Sequence, residues 1–185
     1  MTTTQQAIDT KYDYYLALRD EKLKTLFSPA ILGWARQNGL NTFEEILNYT
    51  GTPDFSNREL SSLNGFDLLL SIGGCNIANN SITDIGDISG FKNMGYFNAS
   101  NNQLTKVGNI SGITTLTYVI LNDNNFSTQS VDNALKDLHA AFDAGANLIA
   151  IYLQGANMGI PTNGVNNADY VYLTNAGVSV TIRTA

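Results

Sequence analysis

From Leu69 onward the chain repeats one pattern of residues every 22 positions. Apolar residues fill seven positions of each copy, and an asparagine fills an eighth. The first copy is Leu69, Ile72, Cys75, Ile77, Asn80, Ile82, Ile85 and Ile88, and the second is Phe91, Met94, Phe97, Ala99, Asn102, Leu104, Val107 and Ile110. A third copy begins at Ile113 and departs from the pattern after Phe126. Such a period predicts a stack of similar units, because one short unit cannot bury its apolar face alone.

Each copy contains the alternation expected of a short strand. Cys75 and Ile77 are separated by a single residue, so both side chains point to the same side of a strand. The asparagine three places later (Asn80, Asn102 or Asn124) stands where the chain leaves the sheet. Its side-chain amide can bond backbone groups that have no partner in the sheet. We therefore predict parallel strands, stacked copy on copy, and a structural ladder of asparagines.

After Phe126 the spacing lengthens and becomes helical. The sequence predicts a helix capped by Ser130 and ending at Gly145, followed by a strand over residues 149–153. Its inner face would carry Val131, Leu135, Leu138 and Phe142. A second unit repeats this plan, with residues 165–168 matching residues 131–134 and a final strand at residues 178–182. Two helix-strand units therefore extend the same sheet.

The N-terminal region, residues 1–65, differs in composition and contains every Glu residue and the only Trp. We predict four short helices in it. The first covers about residues 4–26, and the second follows Ser28 and Pro29, because Ser caps helices and Pro is tolerated at their first position. Capping-box patterns at Thr42 and Ser56 predict the other two. The predicted organisation is thus a helical region, residues 1–65, followed by a repeat domain, residues 66–185.

The repeated copies resemble a known family. Residues 80–91 and their echo at residues 102–113 look like the 22-residue leucine-rich repeats of bacterial internalin-type surface proteins. The resemblance covers about residues 66–127. It implies an α/β leucine-rich repeat solenoid, with parallel strands on one face and a convex side that is first irregular and then helical. Repeats of this type serve mainly as scaffolds that bind unrelated partners.

The C-terminal residues carry a second resemblance. Residues 153–157, 160–162 and 177–181 are similar to the end of leucine-rich repeat segments in structural proteins of phages that infect Bacteroidetes-like hosts. This similarity implies a component of the virion, such as a fibre, a decoration protein of the capsid or a tail-associated protein.

Composition and charge exclude several other classes. The net charge of -6 and the pI of about 4.5 disfavour nucleic acid as a partner, because its phosphates would be repelled. No apolar run reaches the roughly 18–20 residues that span a bilayer. The polar start of the chain, Met1 to Gln6, predicts no secretion signal. A single cysteine, Cys75, excludes an internal disulfide and a zinc site made of several cysteines, and its core position predicts a buried thiol.

The sequence offers little for catalysis or for binding metals. His139 is the only histidine, no local motif supplies a nucleophile or an orienting acid, and we expect a surface histidine. The glycines of the repeats lack the order of a phosphate-binding loop. Asp84, Asp87 and residues 122–125 offer oxygen ligands, but not at the spacing of a calcium loop. We therefore expect a protein that is not an enzyme and holds no cofactor or metal.

The outward side of the strands is the candidate recognition surface. Tyr96 and Tyr118 occupy the same position in successive copies, and the surface is completed by Asn98, Ile120, Asn122 and Tyr152. Exposed aromatics offer contact area, hydrogen bonding and surfaces on which sugars stack. Two other interpretations stay open: tyrosine simply suits a sheet face, or these residues meet another subunit.

The N-terminal helices also have two roles to fill. The first apolar repeat of a solenoid needs a cover, which residues 40–65 would provide. Residues 1–38 contain Tyr12, Tyr15 and Trp34 and exceed what a cap requires, so we predict that they attach the chain to a larger assembly or form an oligomer.

Three functions follow from these observations. The first is a virion protein anchored to other virion proteins by its N-terminal helices, with the repeat domain presented to a protein or glycan of the host surface. The second is an internalin-like adhesin on a bacterial surface or in the medium, which the repeats favour. The third is an intracellular regulator that binds a protein on the strand side.

Overall fold

The computed structural model describes residues 21–184, which fold as an α/β chain around one parallel sheet. Its five strands lie side by side in chain order: β1 (Gly74–Asn76), β2 (Tyr96–Asn98), β3 (Tyr118–Ile120), β4 (Ala150–Leu153) and β5 (Ser179–Ile182). The helices are α1 (Pro29–Gln37), α2 (Phe43–Leu47), α3 (Thr128–Asp143) and α4 (Ala168–Asn175), with short 3-10 helices at Phe66–Leu68 and Gly164–Asn166. The predicted α/β class is confirmed.

The register of the sheet follows the sequence period. Cys75 lies beside Phe97, and Phe97 lies beside Val119, so paired residues of β1, β2 and β3 are 22 positions apart. All three side chains are buried. Because parallel strands need a connection that returns to the same end of the sheet, each 22-residue copy makes one complete circuit from strand to strand.

The three ladder asparagines join successive circuits. Asn102 Nδ2 donates to the carbonyl of Ala99 in its own circuit at 3.2 Å and to that of Ile77 in the previous circuit at 2.9 Å. Its Oδ1 accepts from the backbone N–H of Ile82 at 3.0 Å. The other two asparagines make the same three kinds of contact: Asn124 with Leu121, Ala99 and Leu104, and Asn80 with Ile77, Phe55 and Leu60.

A left-handed residue stands directly before each ladder asparagine. Asn79, Asn101 and Asp123 have φ angles of 57°, 52° and 54°. Asn and Asp adopt this conformation more readily than other residues that carry a side chain. Asn57, with φ of 56°, lies 22 positions before Asn79. The same turn therefore occurs one circuit earlier than the apolar repeat indicates.

Residues 53–60 form this earlier, partial circuit. They lie along the edge of β1 that faces away from β2. Asp54 forms a parallel bridge with Asn76. Arg58 occupies the position that a ladder asparagine would have, and its backbone N–H donates to Asn80 Oδ1 at 3.1 Å. Strand pairing thus begins inside the N-terminal region.

The helix predicted after Ser56 is wrong. Asn57 and Glu59 both have φ of 56°, which a right-handed helix does not allow. The backbone of this segment finds its partners in the neighbouring circuit instead, since Asn57 donates to the carbonyl of Ala78 at 3.1 Å. Tertiary pairing therefore overrides a local capping pattern.

The two helices α1 and α2 begin where the sequence predicts. Ser28 Oγ accepts from the N–H of Ile31 at 3.4 Å, with Pro29 as the first helical residue. Thr42 and Glu45 form a reciprocal capping box, with distances of 3.1 and 2.8 Å. Of the helix predicted over residues 4–26, residues 21–26 are helical and the rest lies outside the described residues.

The C-terminal units differ from the prediction in detail. Ser127, not Ser130, caps α3, and its Oγ accepts from the N–H of Ser130 at 3.1 Å. The predicted equivalence of Val131 and Val165 is wrong, because Val131 is fully buried in α3 whereas Val165 is 48% exposed in a 3-10 helix. The chain uses Asn167 to cap α4 three residues after that helix starts.

One apolar core runs through the described part of the chain. It contains the inward residues of the strands together with Ile31 of α1, Ile46 of α2 and Leu138 of α3. Among residues 21–184, no helix is long and apolar enough to cross a membrane.

We predict that Asn102→Ala lowers the free energy of unfolding by about 1–3 kcal/mol, the cost of a buried backbone group left without a partner. Asn102 is 7% exposed, and its loss removes the partner of Ile82 N–H, whereas the carbonyls of Ile77 and Ala99 keep Asn80 and Asn124 as donors. Denaturant unfolding followed by circular dichroism measures the change. The control is Asn93→Ala at an exposed position. Equal midpoints for the two variants would contradict a stabilising ladder.

Candidate functional site

The outward residues of the five strands form two rows, which we call the outer sheet face. The first row is Gly74, Tyr96, Tyr118, Ala150 and Ser179, and the second is Asn76, Asn98, Ile120, Tyr152 and Thr181. Five of the six predicted recognition residues therefore lie in these rows on three adjacent strands. The sixth, Asn122, lies two positions beyond Ile120, on the same side of the chain.

The aromatic residues of this face are close together and accessible to different degrees. Tyr96 and Tyr118 are paired in register, so their backbones are about 4.8 Å apart. Tyr118 is 39% exposed, whereas Tyr96 and Tyr152 are half-buried. The next residue in the first row, Ala150, is only 3% exposed. The accessible aromatic surface is thus centred on β3.

The side-chain amides on this face already accept hydrogen bonds within the protein. Asn98 Oδ1 accepts from the N–H and the hydroxyl of Ser100, at 3.0 and 2.8 Å. Asn122 Oδ1 accepts from the N–H of Gln154 at 3.0 Å. Within residues 21–184 neither Nδ2 group donates a hydrogen bond. The fold therefore holds both amides in position through their oxygens.

Charge is absent from the ten positions of the outer sheet face. The nearest charged residues are Asp54 beside Asn76, Asp123 directly after Asn122, and Arg183 after β5. The overall charge of -6 therefore lies elsewhere on the molecule. Aromatic contact and hydrogen bonding to neutral groups are the interactions that this face can make.

Asp54 extends the second row of the outer sheet face by one position. The sequence did not predict this. Ser56 N–H donates to Asp54 Oδ1 at 2.9 Å, as Ala78 N–H donates to Asn76 Oδ1 at 3.1 Å. Counting 22 positions back from Asn76 leads to Asp54. The repeat therefore contained the signal, but the apolar pattern around Asp54 is too weak to show it.

Of the three residues predicted to attach the chain to an assembly, the structure describes only Trp34. Trp34 is 3% exposed and packs edge-on against Tyr49 and Phe55, with ring centroids 4.9 and 5.4 Å away. Its position in the core does not suit attachment to another protein, so the role predicted for it is corrected. Tyr12 and Tyr15 lie outside the described residues.

His139 joins the two C-terminal helices and is not an isolated surface residue. Its Nδ1 lies 2.6 Å from Asp169 Oδ1, and its ring stacks on Tyr172 with centroids 3.8 Å apart. Tyr172 in turn donates to Asp143 Oδ1 at 2.7 Å, and this bond raises the pKa of the Tyr172 phenol. These contacts link α3 to α4, a function of packing that the sequence alone did not indicate.

The acidic residues weighed as calcium ligands are engaged in local turns. Asp84 Oδ1 accepts from Gly86 N–H and Asp87 Oδ1 from Ser89 N–H, each at 2.8 Å. The bond from Ser89 lowers the pKa of Asp87. Across the described part of the chain, no group of three His, Cys, Asp or Glu side chains is placed to hold a metal ion.

No known protein family matches the chain, and no curated protein is significantly similar to it.

Cys75 lies in the core row of β1, and burial raises the pKa of its thiol well above the ordinary value, with Asp54 adding to the effect. We predict that the folded protein does not react with a thiol reagent such as DTNB at neutral pH, because the thiolate is the reactive form. In guanidinium chloride the chain should react with one equivalent. Rapid reaction of the folded protein would contradict the burial of Cys75.

Proposed function

We propose that this chain is a non-enzymatic binding protein, a leucine-rich repeat solenoid that takes another macromolecule on its outer sheet face. The observation that carries the proposal is the in-register pair Tyr96 and Tyr118 on an uncharged face with amide donors beside it. Aromatic side chains supply much contact area for little lost conformational entropy.

The solenoid assignment is supported by the way the circuits repeat. Pairing at intervals of 22 residues recurs in β1 to β3, the ladder asparagines make the same contacts three times, and the left-handed turn recurs before each of them. Contacts of this kind connect each circuit to its neighbours only. The exposed ring of Tyr118 is outside these contacts.

For the biological setting we propose a phage particle. The C-terminal residues support it through their similarity to virion leucine-rich repeat segments. Other virion proteins would hold the N-terminal region, and a protein or glycan of the host surface would occupy the outer sheet face. An internalin-like adhesin on a bacterial surface would use the same face, so the setting needs a separate test.

We predict that the double variant Tyr96→Ala and Tyr118→Ala weakens binding at least about tenfold, the loss typical of removing central aromatic contacts. Labelled protein is titrated onto intact Bacteroidetes cells and onto an array of their purified surface glycans. Val165→Ala, at an exposed position in the 3-10 helix Gly164–Asn166 and outside the outer sheet face, is the control and should bind like the unchanged protein. Circular dichroism verifies that each variant is folded.

Two results would oppose this assignment of the face. Equal affinity of the double variant and the control would exclude Tyr96 and Tyr118 as contacts. Absence of binding by the unchanged protein to cells and glycans would contradict a host-surface ligand.

The setting is tested by mass spectrometry of purified phage particles from the source of this sequence. We expect peptides of the chain at a constant ratio to the major capsid protein through successive density gradients. Recovery in the bacterial envelope fraction, without any in particles, would contradict the virion proposal and support the adhesin.

A further inference from the structure

The two ends of the sheet are finished differently. Beside β1 lie residues 53–60, and Trp34 of α1 packs on Phe55 of this segment. At the other end, β5 has β4 as its one strand neighbour among the described residues. Val180 of β5 is only partly buried, whereas Ile151, its partner in β4, is fully buried. The core is therefore partly accessible at Val180, although Val178 and Ile182 at the same end are buried.

The backbone of β5 presents hydrogen-bonding groups along this open edge. Ser179 N–H donates to the carbonyl of Ile149 at 2.9 Å, so the groups of Ser179 face β4. Backbone groups of successive residues in a strand point to opposite edges, which directs those of Thr181 toward β4 as well. The N–H and C=O groups of Val180 and Ile182 consequently point away from the sheet.

The strand lacks the features that normally protect an edge. Exposed edges are blocked by lysine, proline, a bulge or an inward charge. The residues of β5 are Ser, Val, Thr and Ile. The nearest charge, Arg183, is turned back to the loop after β4, where its guanidinium donates to the carbonyls of Ala156 and Met158 at 2.7 and 2.9 Å.

The helix beside β5 also carries an apolar residue on its outer side. Asp169 of α4 contacts His139 of α3, so this side of α4 faces α3. Val171 is two residues further on, which places it about 160° around the helix from Asp169. It is 36% exposed. The apolar end surface thus includes Val171 as well as Val180.

We propose that a second copy of this chain covers this end, with the two β5 strands paired antiparallel about a two-fold axis that passes beside Thr181. In this register Val180 of each copy lies opposite Ile182 of the other, and the two Thr181 residues lie opposite each other. The groups that point away from each sheet then bond one another, with about four backbone hydrogen bonds between the copies.

The register makes β5 complementary to itself. Val180 and Ile182 both point toward the core, so the pairing extends the two cores into one apolar layer and brings no charged residues of the strands together. The α4 helices would lie side by side, as α3 and α4 already do, with α4 packed on β5. Two-fold pairs are the commonest form of protein oligomer. The two outer sheet faces would lie on the same side of a ten-stranded sheet.

Sedimentation of the full chain tests the pairing. We expect a mass twice that of the 20.0 kDa chain. Thr181→Lys places two like charges opposite each other at the axis and should give the monomer, whereas Thr114→Lys, at an exposed position in a turn, should not. At a protein concentration of about 100 μM, a dimer with a dissociation constant of the same order is still detected. A purely monomeric unchanged protein at this concentration would overturn the proposal.

Disulfide trapping tests the register without disturbing the fold. Residues in the non-bonded position of an antiparallel pair have Cα atoms about 4.5 Å apart, within the range of a disulfide. Thr181→Cys should therefore form a covalent dimer on mild oxidation with diamide, while Thr114→Cys should not, and Cys75 is buried. Equal cross-linking of the two variants would exclude the proposed axis.

Discussion

The fold depends on one side-chain amide that serves two circuits at once. Each time the chain leaves the sheet, it carries backbone carbonyls and N–H groups into the interior, where water cannot satisfy them. Asn80, Asn102 and Asn124 supply the missing partners in their own circuit and in the one before. The ladder ends at Arg58, where residues 21–184 provide no earlier circuit, so an asparagine at this position would have no carbonyl of a preceding circuit to bond.

The two sides of the strands differ in burial. Cys75, Phe97 and Val119 are buried and stabilise the stack, whereas Tyr118 on the outward side is 39% exposed. The proposed recognition surface therefore lies opposite the core. The small residues Gly74 and Ala150 limit the accessible area to the middle of the sheet.

The sequence period alone was enough to place β1 to β3, their register and the ladder, because one-sided burial permits only one register. The wrong predictions concern residues whose local sequence pattern competes with contacts to residues distant in the chain. Ser56 heads a capping pattern, yet its segment pairs with β1. Trp34 lies in the region predicted to attach the chain to an assembly, yet Phe55 and Tyr49 bury it. Neither contact is visible in a window of neighbouring residues.

The contact made by the ladder always reaches back 25 residues, from Asn102 to Ile77 and from Asn124 to Ala99. Every junction between these circuits is thus built from the same parts, and none depends on how many circuits stand on either side. If a whole circuit were lost or duplicated in evolution, the remaining circuits could still form every junction with the same asparagine contacts. The width of the outer sheet face is therefore free to change in steps of one strand, without redesign of the interior.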